Sequence, residues 1–526
     1  MIRDLLLGAA AVIPGSAGRR ARYVRTRAAL DAGAPTRQVE GLVRELVSEA
    51  ERELGAGLDE IAAEALTKAL VLLLHPSRAL GAAVPQLLED PAAMLSVLDG
   101  GRVGEVLRRP AVASSAMCHE IAGDGGGRAS SKSVPKPFVS SADCVEASVA
   151  RPATVLVLSG GGLSFLDPVM DTWRAAGHEV RTLTVDELPQ AERPTLRTVV
   201  GAAISTWRTG RPAPLPAVIA SALEGVDHVH VEWGDQVAAW FSHLDRGART
   251  LSVRIHKYEI LTAYPQLLDA ARVDSLCFVA THVREAAVDI APRLAAAPRT
   301  AVTANALDLE RFADPAPALD LPGDLPSRDH LLALVGWAGP AKDADFALDV
   351  LEQLRAQDAG TSWTLLLVGE EPAVTGADAP RARALLARIA AAGDAVRVLG
   401  RREDVPAVLV RSGWILSASV IEGTHEAVAE GAASACVPVV RDWPQVRAHG
   451  GARTVYPESW IVPDDPAAAA RRILDHRGRR AAEGEAARAQ IRQDRDPDAL
   501  ASAQERWIGP ARPHPGGTAR PEGGPA

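Results

Sequence analysis

Cysteine is scarce in this sequence: four stand among 526 residues, at Cys118, Cys144, Cys277 and Cys436, and no two form a Cys-x-x-Cys pair. Such spacing argues against a disulfide framework and against a thiolate zinc site, and it fits a reducing cytoplasm. Long apolar runs are lacking too. None reaches the roughly 18 residues that a bilayer demands, and the stretch from Leu5 to Ile13 has no signal-peptide layout. Positive charge is not in excess. The net charge of -9 leaves no global drive towards nucleic acid. No Walker A string occurs. Asp343-Ala-Asp345 and Asp494-Arg-Asp496 match an Asp-x-Asp metal pattern in letters, but neither follows an apolar strand, so the first reads as a helix start and the second as surface.

With 47% hydrophobic and 23% charged residues, the chain is globular in composition, and its length calls for about three domains. Residues 1–118 read as helical. Val39, Leu42, Val43, Leu46, Val47 and Leu54 recur at helical spacing, and Leu58, Ile61, Leu66, Leu70 and Leu73 continue after Gly55-Ala-Gly57. Arg19, Arg20, Arg22, Arg25 and Arg27 form a basic cluster, either a solvated or docking face or a point of peripheral contact with an anionic membrane. Residues 119–150, rich in Gly, Ser and Pro, read as a flexible linker.

From Ala153 the pattern alternates strand and helix. Thr154-Val-Leu-Val-Leu158 is a buried parallel strand, and Ser159-Gly-Gly-Gly162 is the turn after it, where Gly161 and Gly162 let a ligand approach backbone N–H groups. His228, His230 and Glu232 share a strand face by period two. They could be mistaken for a metal site, but no further ligand cluster accompanies them. A second strand ends at His256. The most informative stretch lies later. Trp414-Ile-Leu enters a polar turn, Glu422 and Gly423 follow, then an alanine-rich helix carries Glu430, and Val437-Pro-Val-Val closes the unit. In such strand–loop–helix units ligands sit where strands end and helices begin. The plain reading of Glu422 and Glu430 is two solvated helix residues, with Glu430 roughly two turns in.

The string from Glu422 to Val440 resembles the Glu-x7-Glu motif of retaining, two-domain (GT-B) glycosyltransferases of family 4, with Gly431 and Ala435 as small-for-small changes. Thr303-Ala-Asn305-Ala-Leu-Asp308 through Phe312 resembles that family's string ahead of its interdomain linker. Gly336-Trp-Ala-Gly-Pro-Ala-Lys342 resembles its Gly-Arg-x-x-x-x-Lys, with Trp337 in place of the arginine. The resemblance implies an α/β chain of GT-B fold: two Rossmann-like domains facing across a cleft, after an all-helical accessory domain. The expected division is 1–118 helical, 119–150 linker, 151–320 acceptor domain, 321–508 donor domain and 509–526 a disordered tail.

It further implies transfer of a sugar from a nucleotide-sugar donor to a hydroxyl acceptor with retention, without cofactor or metal. The acceptor would be a glycan, a lipid-linked sugar or a small molecule. By the same resemblance His256 and Glu422 contact the transferred sugar, Glu430 the ribose diol, and Lys342 with Gly423 and Thr424 the diphosphate. Gly161, Gly162, Gly336 and Gly400 border the donor, Gly400 nearest the nucleobase, where Arg401 or Arg402 could replace the missing charge. Two alternatives stay open: a catalytically silent GT-B scaffold, suggested by Trp337 and the helical extension, and a nucleotide-sugar epimerase of the same fold.

Overall fold

A computed structural model describes residues 16–32, 39–75, 87–108, 152–161, 166–313, 321–376 and 378–508. The segments expected to be linker (119–150) and disordered tail (509–526), Leu5 to Ile13, and Gly162 lie outside the described residues. No helix among the described residues is long and apolar enough to cross a membrane.

Two parallel sheets organise the chain. The first holds β1 (Thr154–Ser159), β2 (Glu179–Thr184), β3 (His228–Glu232), β4 (Thr250–Ile255), β5 (Ser275–Phe278) and β6 (Thr300–Val302), in the order β2-β1-β3-β4-β5-β6. The second holds β7 (Leu331–Val335), β8 (Thr364–Val368), β9 (Val396–Gly400), β10 (Trp414–Ser417), β11 (Val437–Arg441) and β12 (Ile461–Val462), in the order β12-β11-β10-β7-β8-β9. Strands such as Val155–Leu158 and Leu331–Leu334 are apolar without alternation because helices cover both faces. In each sheet the order reverses once, between β1 and β3 and between β7 and β10. At such points neighbouring connections run to opposite faces and leave a crevice. The loops after β7 and β10 therefore converge on one place.

The helices Val39–Ala56 and Asp59–Leu73 form an antiparallel pair, with Gly57 turning the chain at φ +75°. Leu42, Val43, Leu46, Leu54, Leu66, Leu70 and Leu73 are buried in one continuous core with Val199, Ala203 and Ile204 of the first sheet domain. Leu58 and Ile61, expected on the apolar face, stand about half exposed instead. Of the basic cluster, Arg19 donates to Glu49 at 2.8 Å and Arg22 to Glu45 at 2.9 Å, both on the next helix. Those two arginines serve helix packing.

Arg293 joins the helical segment to the first sheet domain. Buried among apolar side chains, it donates to the carbonyl oxygens of Leu107 at 2.8 Å and Gln266 at 2.6 Å. Burial lowers its pKa to about 10. The chain's end crosses back as well. The helices Arg480–Arg495 and Pro497–Glu505 lead Trp507 into the first domain, where it packs on Trp173 and stacks on His230. Arg293→Met keeps most of the apolar stem but strips two buried carbonyls of their donor. Chemical denaturation should show a loss of about 2–3 kcal/mol. An unchanged urea midpoint would show that the helical segment does not depend on this tie.

Candidate functional site

The helix after β10 runs from Glu426 to Ala433, so Glu422 sits in the preceding loop and Glu430 lies only about one turn in. Side chains hold the loop open before the helix can start. Ser417 Oγ bonds His425 Nδ1 at 2.6 Å, Ser419 Oγ donates to Glu422 at 2.8 Å, and His425 takes a left-handed φ of +47°. Tyr456 donates its hydroxyl to the carbonyl of Thr424 at 2.6 Å, satisfying a buried acceptor that water cannot reach. Gly431 permits close packing rather than ligand approach: a Cβ there would stand 2.7 Å from Ile415 Cβ on β10.

Glu422 is buried and ionised. Lys342, from the loop after β7, places Nζ 2.6 Å from Oε1, and Lys257, from the first domain, places Nζ 3.9 Å from Oε2. Burial alone would raise the carboxyl's pKa, but His425 and the two ammonium groups outweigh it and bring it to about 2. Burial holds His425 itself near 3, so at neutral pH the lysines supply the charge. His282, from the helix Thr281–Ile290 of the first domain, bonds the Glu422 carbonyl at 2.8 Å. The junction between the domains thus runs through this loop.

Glu430 is the opposite case. It is part-buried, and its carboxylate has no hydrogen-bond or ion-pair partner among the described residues. Burial first, and the neighbouring charge of Glu426 second, raise its pKa to about 7. Glu426 is fully engaged: Asn305 of the first domain donates to it at 2.9 Å, Arg495 lies at 3.4 Å, and the Thr424 hydroxyl also bonds it. Thr424 therefore spends its side chain within the loop, while Gly423 lets the first domain close in, its Cβ position 3.3 Å from Lys257 Cβ.

His256 stands at the end of β4, facing this junction from the first domain. Its Nε2 lies 2.7 Å from Glu232, and its ring stacks on Trp233 at 4.2 Å. Trp233 itself holds a positive φ of +72°. Register explains the set: β3 and β4 pair His230 with Ser252 and Glu232 with Arg254, so a carboxylate falls opposite a guanidinium inside the sheet. His228 bonds Thr250 and Ser252 at 2.8 Å, and His230 bonds Ser252 at 2.8 Å and Glu232 at 3.1 Å. Their ring nitrogens are taken by side chains, and no cluster placed to hold a metal occurs among the described residues. Against burial, Arg254, His230 and His256 keep Glu232 ionised far below the ordinary carboxylate range.

Gly336 and Gly400 sit at the ends of β7 and β9, with Gly369 between them at the end of β8, all at positive φ. Gly369 must be glycine because its φ of +123° is one that side-chain-bearing residues rarely adopt. Together they form a low rim beside Lys342. Gly161 closes a turn with Ser159 at the end of β1. Trp337 points into the core of the second domain, fully buried, and brings no charge to the rim. Arg401 is exposed and pairs with Glu370, while Arg402 grips Asp404 at 2.7 Å. Sequence reasoning passed over Lys257 and Glu426. Their only local signals were adjacency to His256 and a place four residues after Glu422.

Residues 329–476 match the family described as glycosyl transferases group 1. A glycosyltransferase from Rickettsia africae superposes with a TM-score of 0.51 at 16% identity, over 68% of this chain and 100% of that one. A UDP-forming α,α-trehalose-phosphate synthase from Burkholderia xenovorans superposes at 0.50 and 13%, over 68% and 99%. No curated protein matches in sequence. The chain is built on the GT-B glycosyltransferase fold. The family match falls within its second sheet domain, and the helical segment stands in front of the fold.

Replacing Gly431 tests the packing that sets the site helix on β10. Alanine gains about 1 kcal/mol of helix propensity, yet overpacking against Ile415 costs about 1–3 kcal/mol. Gly431→Ala should therefore lower thermal stability in differential scanning calorimetry. A rise would mean that the helix is free to move away from the strand.

Proposed function

We propose that the protein is a retaining glycosyltransferase of family 4, moving a sugar from a nucleotide-sugar donor to a hydroxyl acceptor. The observation that carries this reading is the pair of unlike carboxylates at the mouth of β10, inside the matched region: Glu422 gripped by lysines, Glu430 without a protein partner. A carboxylate without a partner in a part-buried crevice suits a vicinal diol, since it accepts both hydroxyl hydrogens and regains what burial costs it. Glu430 is thus assigned to the ribose of the donor. The resembling synthase is UDP-forming, which supports a nucleoside diphosphate as the leaving group.

The anomeric bond breaks towards an oxocarbenium-like centre, so the main task is to stabilise the departing diphosphate. We assign that task to Lys342, together with the loop N–H groups at Gly423 and Thr424. His256, oriented by Glu232 and braced by Trp233, faces the sugar from the first domain, and Glu422 accepts from sugar hydroxyls. Gly161 borders the acceptor side, and Gly336 and Gly400 leave room for the nucleotide. Cationic side chains stand where a metal ion would otherwise neutralise phosphate, so we assign no metal or cofactor to the reaction.

Glu430→Gln keeps the shape and removes the charge. Calorimetric titration with nucleoside diphosphates should show affinity falling about ten- to a hundredfold, as expected for lost charge-assisted bonds, while the free protein at neutral pH becomes more stable because a buried charge without a partner is gone. A 2′-deoxy nucleotide should distinguish the two proteins little. Equal binding of ribonucleotide by Glu430→Gln would make the residue mere helix surface.

Titration carries a second signature. The ionised carboxylate is the better acceptor, and its pKa in the free protein is about 7. Wild-type affinity for the ribonucleotide should therefore weaken as pH falls from 8 through 7 to 6. That dependence should be absent in Glu430→Gln and weak for the 2′-deoxy compound. A flat profile in the wild type would separate Glu430 from the ligand.

A further inference from the structure

Trp337 stands where the resembling family has an arginine, which leaves Lys342 as the one cation of that loop, and a second cation stands close by. Trp337 is locked in the core and cannot turn outward without leaving a cavity. Arg401 and Arg402 are held by Glu370 and Asp404. Arg441 is spent on Asp343 at 2.6 Å and Asp464 at 2.7 Å. Lys257 is different. It enters from the first domain, directly after His256, and its ammonium lies 3.9 Å from the carboxylate that Lys342 grips at 2.6 Å. Both lysines keep part of their surface open, 21% for Lys257 and 29% for Lys342, while Glu422 keeps 8%. Gly423 is what admits Lys257 so close, with Lys257 Cβ 3.3 Å and its nitrogen 3.6 Å from where a Cβ would be.

We propose that Lys257 and Lys342, one from each domain, form a clamp for the diphosphate of the ligand, with Glu422 holding the two ammonium groups in position until the anion arrives. The proposal rests on the reading of this crevice as a nucleotide-sugar site and names the residue that takes the place of the missing arginine. Two cations around one carboxylate leave a net positive charge facing the crevice. A diphosphate satisfies that charge better than a single carboxylate does. Burial and the nearby charge of Lys342 work against the protonated form of Lys257, Glu422 works for it, and an anion between the lysines acts in the same sense as Glu422.

The test is calorimetric titration of the full chain with UDP, GDP, ADP and inorganic pyrophosphate, beside the matching nucleosides, for wild type, Lys257→Ala and Lys257→Arg. Lys257→Ala should weaken pyrophosphate and the preferred nucleoside diphosphate by about tenfold or more, as for one lost charge-assisted contact. Nucleoside affinity should stay unchanged, and Lys257→Arg should restore most of the loss. If wild type binds a nucleoside diphosphate and Lys257→Ala binds it equally well, the clamp is overturned and the donor site survives. A parallel loss of nucleoside and diphosphate affinity also overturns it, since that marks general distortion. If wild type binds none of the four anions, the donor-site reading falls and the clamp falls with it.

Discussion

One buried polar chain ties the two sheet domains together, and the site depends on it. Glu232 faces Arg254 at 3.4 Å, Arg254 donates to Asn305 at 2.6 Å, Asn305 donates to Glu426 at 2.9 Å, and Glu426 meets Arg495, which returns to the Asn305 carbonyl at 3.1 Å. Charges taken out of water cost several kcal/mol each unless partnered, and breaking one buried pair costs about 3–5 kcal/mol. No member can therefore be lost alone. The chain fixes His256 through Glu232 and the start of the site helix through Glu426. The crossing of the last helices follows from the same need, because Arg495 must reach Asn305 from the far side of the fold, and Trp507 lies under the Arg254 guanidinium at 5.0 Å.

Against that fixed frame, two carboxylates of one short segment titrate in opposite directions. Glu422 is drawn down to about 2 by His425 and by lysines from both domains, and Glu430 is pushed up to about 7 by burial and a like charge. Environments that separate two like groups in this way assign them different tasks. Glu422 is an ion-pair partner that organises lysines, whereas Glu430 lacks a partner and is ready to accept hydrogen bonds. The same alanine-rich stretch produces both, because the side chains of Ser417, Ser419 and His425 delay the helix until Glu426.

Much of this was legible in the sequence wherever the information is local. The strand–loop–helix–strand unit around Glu422 and Glu430 could be read from spacing, as could the strand Thr154–Leu158 and the helical front segment. What the sequence hid are pairs distant along the chain. Glu426 finds Asn305 across 121 positions, and Glu422 meets Lys342 across 80. Lys257 carries no local signal beyond its place after His256, and only the juxtaposition of the two domains makes it a site residue. The depth of Glu430 was misjudged for a related reason. The spacing was right, but nothing local announces a left-handed His425 ahead of the helix. Trp337 was legible as a missing charge and illegible in direction, since burial in the second core depends on strands and helices that close over it later.

Hydrogen–deuterium exchange of the full chain, with and without its preferred nucleoside diphosphate, tests the central claim most directly. The account predicts ligand protection in three separate segments drawn from both domains: the loop 336–343, the stretch 417–431 and the turn at 256–260. Protection confined to one domain, or lying away from the loops after β7 and β10, would contradict it.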